Sequence, residues 1–70
     1  MWTETLQQQT RDHFENVLPA AAMKHFGDGK FGVCVYLDGK YTIRDRDPDS
    51  NKIWEYTSMD DLIADGWAID

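Results

Sequence analysis

The chain has 70 residues, seven of them lysine or arginine and thirteen aspartate or glutamate, so its formal net charge is −6. This length predicts one small domain, 1–70, and the negative charge opposes binding to phosphate backbones and anionic membranes. Cys34 is the only cysteine, which excludes an internal disulfide and the paired-cysteine patterns of zinc sites. Because no apolar run is of the signal-peptide or membrane-spanning type, we expect a cytoplasmic protein.

The first predicted element is a helix that begins near Thr3. Side chains spaced three and four residues apart form one helical stripe, which consists of Leu6, Thr10, Phe14, Val17 and Ala21. Pro19 lacks the amide hydrogen that a helix interior needs, so we expect the helix to be kinked or broken there. The segment from Ala20 to Phe26 has high helix propensity and predicts a second short helix, with Gly27 as its left-handed cap.

The segment from Phe31 to Tyr56 is rich in β-branched and aromatic residues and predicts a three-stranded antiparallel meander. Asp38-Gly39 marks the first hairpin, because glycine tolerates a positive φ. Two registers are open. A two-residue loop pairs Leu37 with Lys40, whereas a three-residue loop pairs Tyr36 with Lys40.

We favour the three-residue loop, because a slip of one residue exchanges whole faces and this loop gathers the apolar side chains on one side. The inner face then consists of Phe31, Val33, Val35, Tyr41 and Ile43. The outer face consists of Cys34, Tyr36, Lys40, Thr42 and Arg44. In the third strand we turn Trp54 and Tyr56 inward, because an inward Glu55 would bury an unpaired charge.

A short helix is predicted after the meander. Ser58 is a suitable N-cap, Asp60 and Asp61 suit the first turn, and Gly66 ends the helix, after which Trp67 is expected to fold back onto the sheet. The fold class is therefore α+β. We predict a two-layer sandwich of an N-terminal helix kinked or broken at Pro19, a three-stranded antiparallel meander and a short C-terminal helix.

The acidic turn Asp45-x-Asp47-x-Asp49 has the spacing with which an EF-hand calcium loop begins. The sixth position is Ser50 instead of the required glycine, and the twelfth is Tyr56 instead of a bidentate glutamate. Aspartate, proline and asparagine are also typical turn residues, so a solvent-exposed hairpin turn is the preferred interpretation. Weak calcium binding at residues 45–51 is an alternative.

The sequence offers no catalytic constellation. His13, His25 and Cys34 have no spacing that links a nucleophile to a base, and a lone cysteine usually behaves as a small apolar residue. The glycines at 27 and 29 precede a strand, so they lack the helix N-terminus of a phosphate-binding loop. We therefore expect neither an enzyme nor a cofactor site.

The outer sheet face is the candidate binding surface. Tyrosine, tryptophan and arginine dominate binding hot spots, so the residues expected to contact a protein partner or a second copy are Tyr36, Tyr41, Arg44 and Trp54. A nucleic acid is not the expected ligand, because the net charge opposes it. The sequence thus favours a small acidic interaction or regulatory protein, of a size and composition that also suit accessory proteins of mobile elements.

A second hypothesis places the function in the acidic residues themselves. Acidic side chains cluster in two segments, 45–49 and 60–65, and such a surface would imitate a nucleic acid and inhibit a nucleic-acid-binding enzyme. Binding of this kind weakens steeply with added salt.

Overall fold

A computed structural model describes residues 2–16 and 20–70. The elements, in chain order, are α1 (Glu4–Asn16), β1 (Ala20–His25), β2 (Phe31–Leu37), β3 (Lys40–Asp45), β4 (Ile53–Tyr56), α2 (Met59–Ala64) and β5 (Trp67–Ile69). This confirms the predicted α+β class with an N-terminal helix and a short C-terminal helix. Neither helix in the described part of the chain has the length and apolar character needed to cross a membrane.

The strands form a single antiparallel sheet in the order β4-β3-β2-β1-β5. The predicted three-stranded meander is therefore incomplete, because β1 and β5 add two more strands beside β2. The strand β5 returns from the end of the chain and pairs with β1, with Lys24 opposite Ala68. As a result, β2 is the central strand of the sheet.

The predicted second helix is wrong, because Ala20–His25 is the strand β1. Its side chains alternate, with Met23 fully buried and Ala22 exposed. β1 forms antiparallel ladders with β2 on one side and β5 on the other, and these long-range pairings outweigh the helix propensity of the alanines. The kink at Pro19 lies outside the described residues and stays a prediction.

The predicted three-residue hairpin loop is also wrong. The loop is two residues long, with φ 54° at Asp38 and φ 78° at Gly39, and Leu37 pairs with Lys40. Positive φ at both central residues is the type I′ turn that matches the right-handed twist of the flanking strands. The shift of one residue exchanges the two faces of β2, so Cys34 faces the core and Val33 and Val35 face outward, while Tyr41 and Ile43 of β3 face the core as predicted.

The core lies on the face of the sheet that carries Cys34, which we call the covered face. Its fully or nearly fully buried side chains are Met23, Cys34, Ile43, Leu62, Ile63 and Trp67. Trp54 packs edge-on against Trp67, with ring centroids 5.1 Å apart, and Tyr56 lies on the same face. The inward orientation predicted for Trp54 and Tyr56 is thus confirmed.

The helix α1 joins the core through the predicted stripe. Thr10 is fully buried, and Phe14 meets the ring of Tyr41 edge-on at 5.5 Å. The hydroxyl of Thr10 donates to the carbonyl of Leu6 at 2.8 Å and accepts from the amide of Ile69 at 3.1 Å. α1 therefore protects the outer edge of β5, whose backbone amide would otherwise lack a partner there.

The helix α2 begins and ends where the sequence predicts. The Ser58 hydroxyl accepts from the amide of Asp61 at 3.1 Å, which is N-cap geometry, and Gly66 follows the helix with φ 107°. Trp67 then starts β5 directly. The expected left-handed cap at Gly27 is absent; the positive φ falls at Gly29 (φ 64°), because this segment is a turn between strands.

Candidate interaction surface

The side of the sheet opposite the covered face carries a row of exposed apolar side chains, and we call this side the open face. Along the central strand β2 the row consists of Phe31, Val33, Val35 and Leu37, which we call the apolar stripe. Val33 and Val35 are each 43% exposed and Leu37 is 68% exposed. Ile53 on β4 is exposed on the same side. The stripe therefore runs through the middle of the sheet, where an apolar row is normally covered.

Short side chains border the stripe on one strand and polar ones on the other. Ala20 and Ala22 of β1 lie opposite Val35 and Val33. On β3, Thr42 and Arg44 lie opposite the same two valines, and a shallow depression forms between these β3 residues and the stripe. Because the alanine side chains are short, Val33 and Val35 project further from the sheet than their neighbours on β1.

The open face is basic although the protein as a whole is acidic. Lys24 lies opposite Phe31, Arg44 opposite Val33, and Lys40 opposite Leu37, so cations border the stripe at both ends and in between. Glu55 on β4 is the one acidic residue at an open-face position of the described strands. The other twelve of the thirteen acidic residues lie in helices, turns and termini or, in the case of Asp45, on the covered side.

The four residues predicted to bind a partner do not form one surface. Arg44 lies on the open face, but Tyr41 and Trp54 lie on the covered face and pack against the core. Tyr36 also belongs to the covered side, at the end of β2, where it is 42% exposed and its ring lies 4.6 Å from that of Tyr41.

Sequence reasoning missed the apolar stripe because it assigned Phe31, Val33 and Val35 to the core and Leu37 to the hairpin loop. The signal was present in the Asp38-Gly39 dipeptide, which favours a two-residue type I′ loop. That loop alone would have placed Phe31, Val33 and Val35 on the same side as Arg44.

The residues considered for nucleophilic chemistry have structural roles. Cys34 is fully buried in the core, and burial raises the pKa of its thiol to about 12, so the reactive thiolate is disfavoured. A ring nitrogen of His13 lies 3.0 Å from the carbonyl of Ala20. His25 accepts a hydrogen bond from the amide of Asp28 and packs edge-on against Trp67. These contacts hold strands, turns and core together.

The acidic turn is held by its own carboxylates. Asp45 accepts from the amide of Asp47 at 3.0 Å, and Asp47 accepts from the amide of Asp49 at 2.9 Å. The bond from the Asp47 amide, with the nearby Lys30 ammonium, lowers the pKa of Asp45 below its ordinary value. Across residues 2–16 and 20–70, no three His, Cys, Asp or Glu side chains are grouped so as to hold a metal ion.

No family model matches the chain, and comparisons with curated proteins and with solved structures find no match either. The functional interpretation therefore rests on the geometry of this molecule.

Proposed function

We propose that this is a small non-enzymatic interaction protein that binds a protein partner through the open face of its sheet. The observation that supports this is the apolar stripe on the central strand. Scattered exposed apolar residues are ordinary, but a contiguous row bordered by polar residues is typical of interaction sites. Covering such a row gains roughly 25 cal/mol for each Å² of apolar surface removed from water.

The proposed contact surface differs from the one that the sequence predicts. It keeps Arg44 but not Tyr36, whose side chain lies on the covered side, and it centres on the apolar stripe. We leave Tyr41 and Trp54 out of it, because their side chains support the core from the covered side. We further infer that α1 and α2 form one layer over the covered face, which is the predicted two-layer arrangement. A cytoplasmic location, consistent with a free Cys34, remains part of the proposal.

The double variant Val33→Thr/Val35→Thr tests this function. Threonine is close to valine in shape and in strand propensity, so the sheet is retained while the stripe becomes polar. We expect unchanged thermal unfolding, and loss of any complex that the unmodified protein forms in sedimentation velocity or quantitative affinity purification from its host. The matched control is Ala64→Ser, a small polar change at an exposed position of α2. Complexes that survive the double variant would contradict the proposal.

The alternative of an acidic nucleic-acid mimic has weaker support. In the two acidic segments, Asp45 pairs with Lys30 and Asp60 with Arg11, while Asp65 accepts a hydrogen bond from Tyr56. These contacts give part of the acidic surface a role within the fold. Binding to a basic partner that weakens steeply with salt and is unaffected by Val33→Thr/Val35→Thr would favour this alternative.

A further inference from the structure

We propose that the occupant of the open face is an acidic amphipathic helix of a partner protein. This inference rests on the proposed function and adds the chemistry and shape of the partner. Charge is its first support, because Lys24, Lys40 and Arg44 lie directly beside the stripe in a protein of net charge −6, whereas the carboxylate of Glu55 lies one strand further away, on β4. A complementary surface is therefore apolar in the centre and acidic along its margins.

Lys24, Lys40 and Arg44, the cations at open-face positions of the strands, have no acidic partner within the described part of the chain, whereas Arg46, just beyond β3, pairs with Asp70. The ion pairs there use Arg11, His25, Lys30 and Arg46. Arg44 and Lys40 take part in none of them, and the Lys24 ammonium lies 5.0 Å from the centre of the Trp2 ring. A bound carboxylate would thus add a pairing without breaking one that the fold already uses.

The dimensions of the stripe suit one helix. Strands β1, β2 and β3 span about 10 Å from the first to the third, which is close to the diameter of a helix with its side chains. Phe31 and Leu37 lie about 20 Å apart along β2, which corresponds to roughly 13 residues of helix. Because the side chains of Ala20 and Ala22 are small, the surface of the sheet is lower there than at the valines, which leaves space for a helix to pack beside them.

Other occupants fit the charges or the chemistry less well. Joining the open faces of two copies would bring the cations Lys24, Lys40 and Arg44 of one copy towards those of the other. A single-stranded nucleic acid needs aromatic platforms. At the open-face positions of the described strands, Phe31 is the one aromatic side chain, since Tyr41 and Trp54 face the core. The other two rings near this face, Trp2 and Phe26, pack edge-on against each other beside Lys24, at the end of the stripe and not along it.

Titration of the ¹⁵N-labelled protein with synthetic peptides tests the inference by chemical-shift changes. The probe is a 13-residue helix with leucine on one face and glutamate on both flanks; its twin has lysine in place of glutamate. We expect the acidic peptide to shift amides of β1, β2 and β3, and the basic twin to leave them unchanged. Arg44→Glu should weaken binding of the acidic peptide about tenfold and create binding of the basic twin.

Lys52→Glu is the matched control, because Lys52 also lacks an ion pair among the described residues but lies beyond the stripe, in the β3–β4 connection. It should change the affinity less than about twofold, as a distant exposed charge does. Failure of the acidic peptide to bind, or equal binding of the twin, would overturn the inference. So would stronger shifts with oligothymidylate, with phosphatidylserine vesicles or with rising protein concentration.

The two proposals can fail separately. If Val33→Thr/Val35→Thr abolishes a complex while the acidic peptide does not bind, the open face is the binding surface but the partner is not an acidic helix. If the double variant leaves every complex intact, the proposed function fails, whatever the peptides do.

Discussion

Among single residues, Tyr56 provides the hydrogen-bond acceptor for the indole N–H of the buried Trp67. Its phenol hydroxyl accepts a hydrogen bond from the indole N–H of the fully buried Trp67, at 3.0 Å, and donates one to the carboxylate of Asp65. Tyr56→Phe leaves the indole N–H without an acceptor, which should lower the free energy of unfolding by about 1–3 kcal/mol in urea denaturation. Tyr36→Phe, which removes a phenol at a more exposed position, is the control and should change it by less than about 0.5 kcal/mol.

The same phenol makes stability depend on alkaline pH. Burial, together with the hydrogen bond to Asp65, raises the pKa of Tyr56 above its ordinary value. A raised pKa in the folded state means that the stabilisation is complete below pH 10 and declines as the pH rises further. Burial raises the pKa of Tyr41 in the same direction. The urea midpoint of denaturation should therefore decrease as the pH is raised above about 10, and it should decrease less steeply in Tyr56→Phe. If the midpoints of the two proteins changed in parallel with pH, this assignment would be contradicted.

At position 32 the packing leaves no room for a side chain, so glycine is required there. A Cβ atom there would lie 2.5 Å from Cγ2 of Ile43, 2.9 Å from the carbonyl oxygen of Arg44 and 3.5 Å from the Trp67 ring. Gly32→Ala should therefore destabilise the fold by about 1–3 kcal/mol, measured as a lowered urea midpoint. At Gly27 the nearest atom would lie 3.5 Å away, in the His25 ring, so Gly27→Ala is a matched control that should not destabilise.

Among the elements, α1 places one fully buried hydroxyl, that of Thr10, against the backbone of β5. Thr10→Val keeps the shape of the side chain but removes the acceptor of the Ile69 amide and the donor to the Leu6 carbonyl. We expect a loss of about 1–3 kcal/mol, accompanied by faster hydrogen exchange of the Ile69 amide. Thr5→Val makes the same change at an exposed position of α1 and should be nearly neutral. Equal stability of both variants would show that the bond to β5 contributes nothing.

The elements also separate what local sequence signals can predict from what they cannot. The bounds of α2 follow from Ser58 and Gly66, because both act on residues that are close to them in the sequence. The strand β1 depends on ladders with β2 and β5, partners distant in sequence, so its alanines and Met23 misleadingly indicate a helix. Long-range pairing is invisible to a reading of local propensity.

The hairpin register illustrates the same limit of local reasoning at the candidate site. Counting apolar residues favours the face with Phe31, Val33 and Val35 as the core. The fold instead buries the face with Gly32 and Cys34, whose small side chains leave room for Trp67 from the far end of the chain. Arg44 was correctly predicted to lie on the outward face, but the stripe residues Phe31, Val33 and Val35 beside it were assigned to the interior.

For the whole molecule, the buried thiol of Cys34 reports cooperative unfolding. The side chain is fully buried on the central strand, and its pKa is raised to about 12, so attack on a disulfide reagent requires that the core opens. A domain of this size has a stability of roughly 4–10 kcal/mol, and such an equilibrium slows the reaction of a buried thiol by at least about a hundredfold. In native buffer, Cys34 should thus react with Ellman's reagent at least about a hundredfold more slowly than a surface thiol. That surface thiol is supplied by Leu37→Cys in a Cys34→Ala background, at the most exposed position of the apolar stripe.

The reaction rate of Cys34 should rise with urea along the same curve as unfolding detected by fluorescence, because β2 is paired on both sides and opens only with the sheet. A rate close to that of the surface thiol would mean that β2 opens locally. The central strand would then be too mobile to present a fixed binding surface.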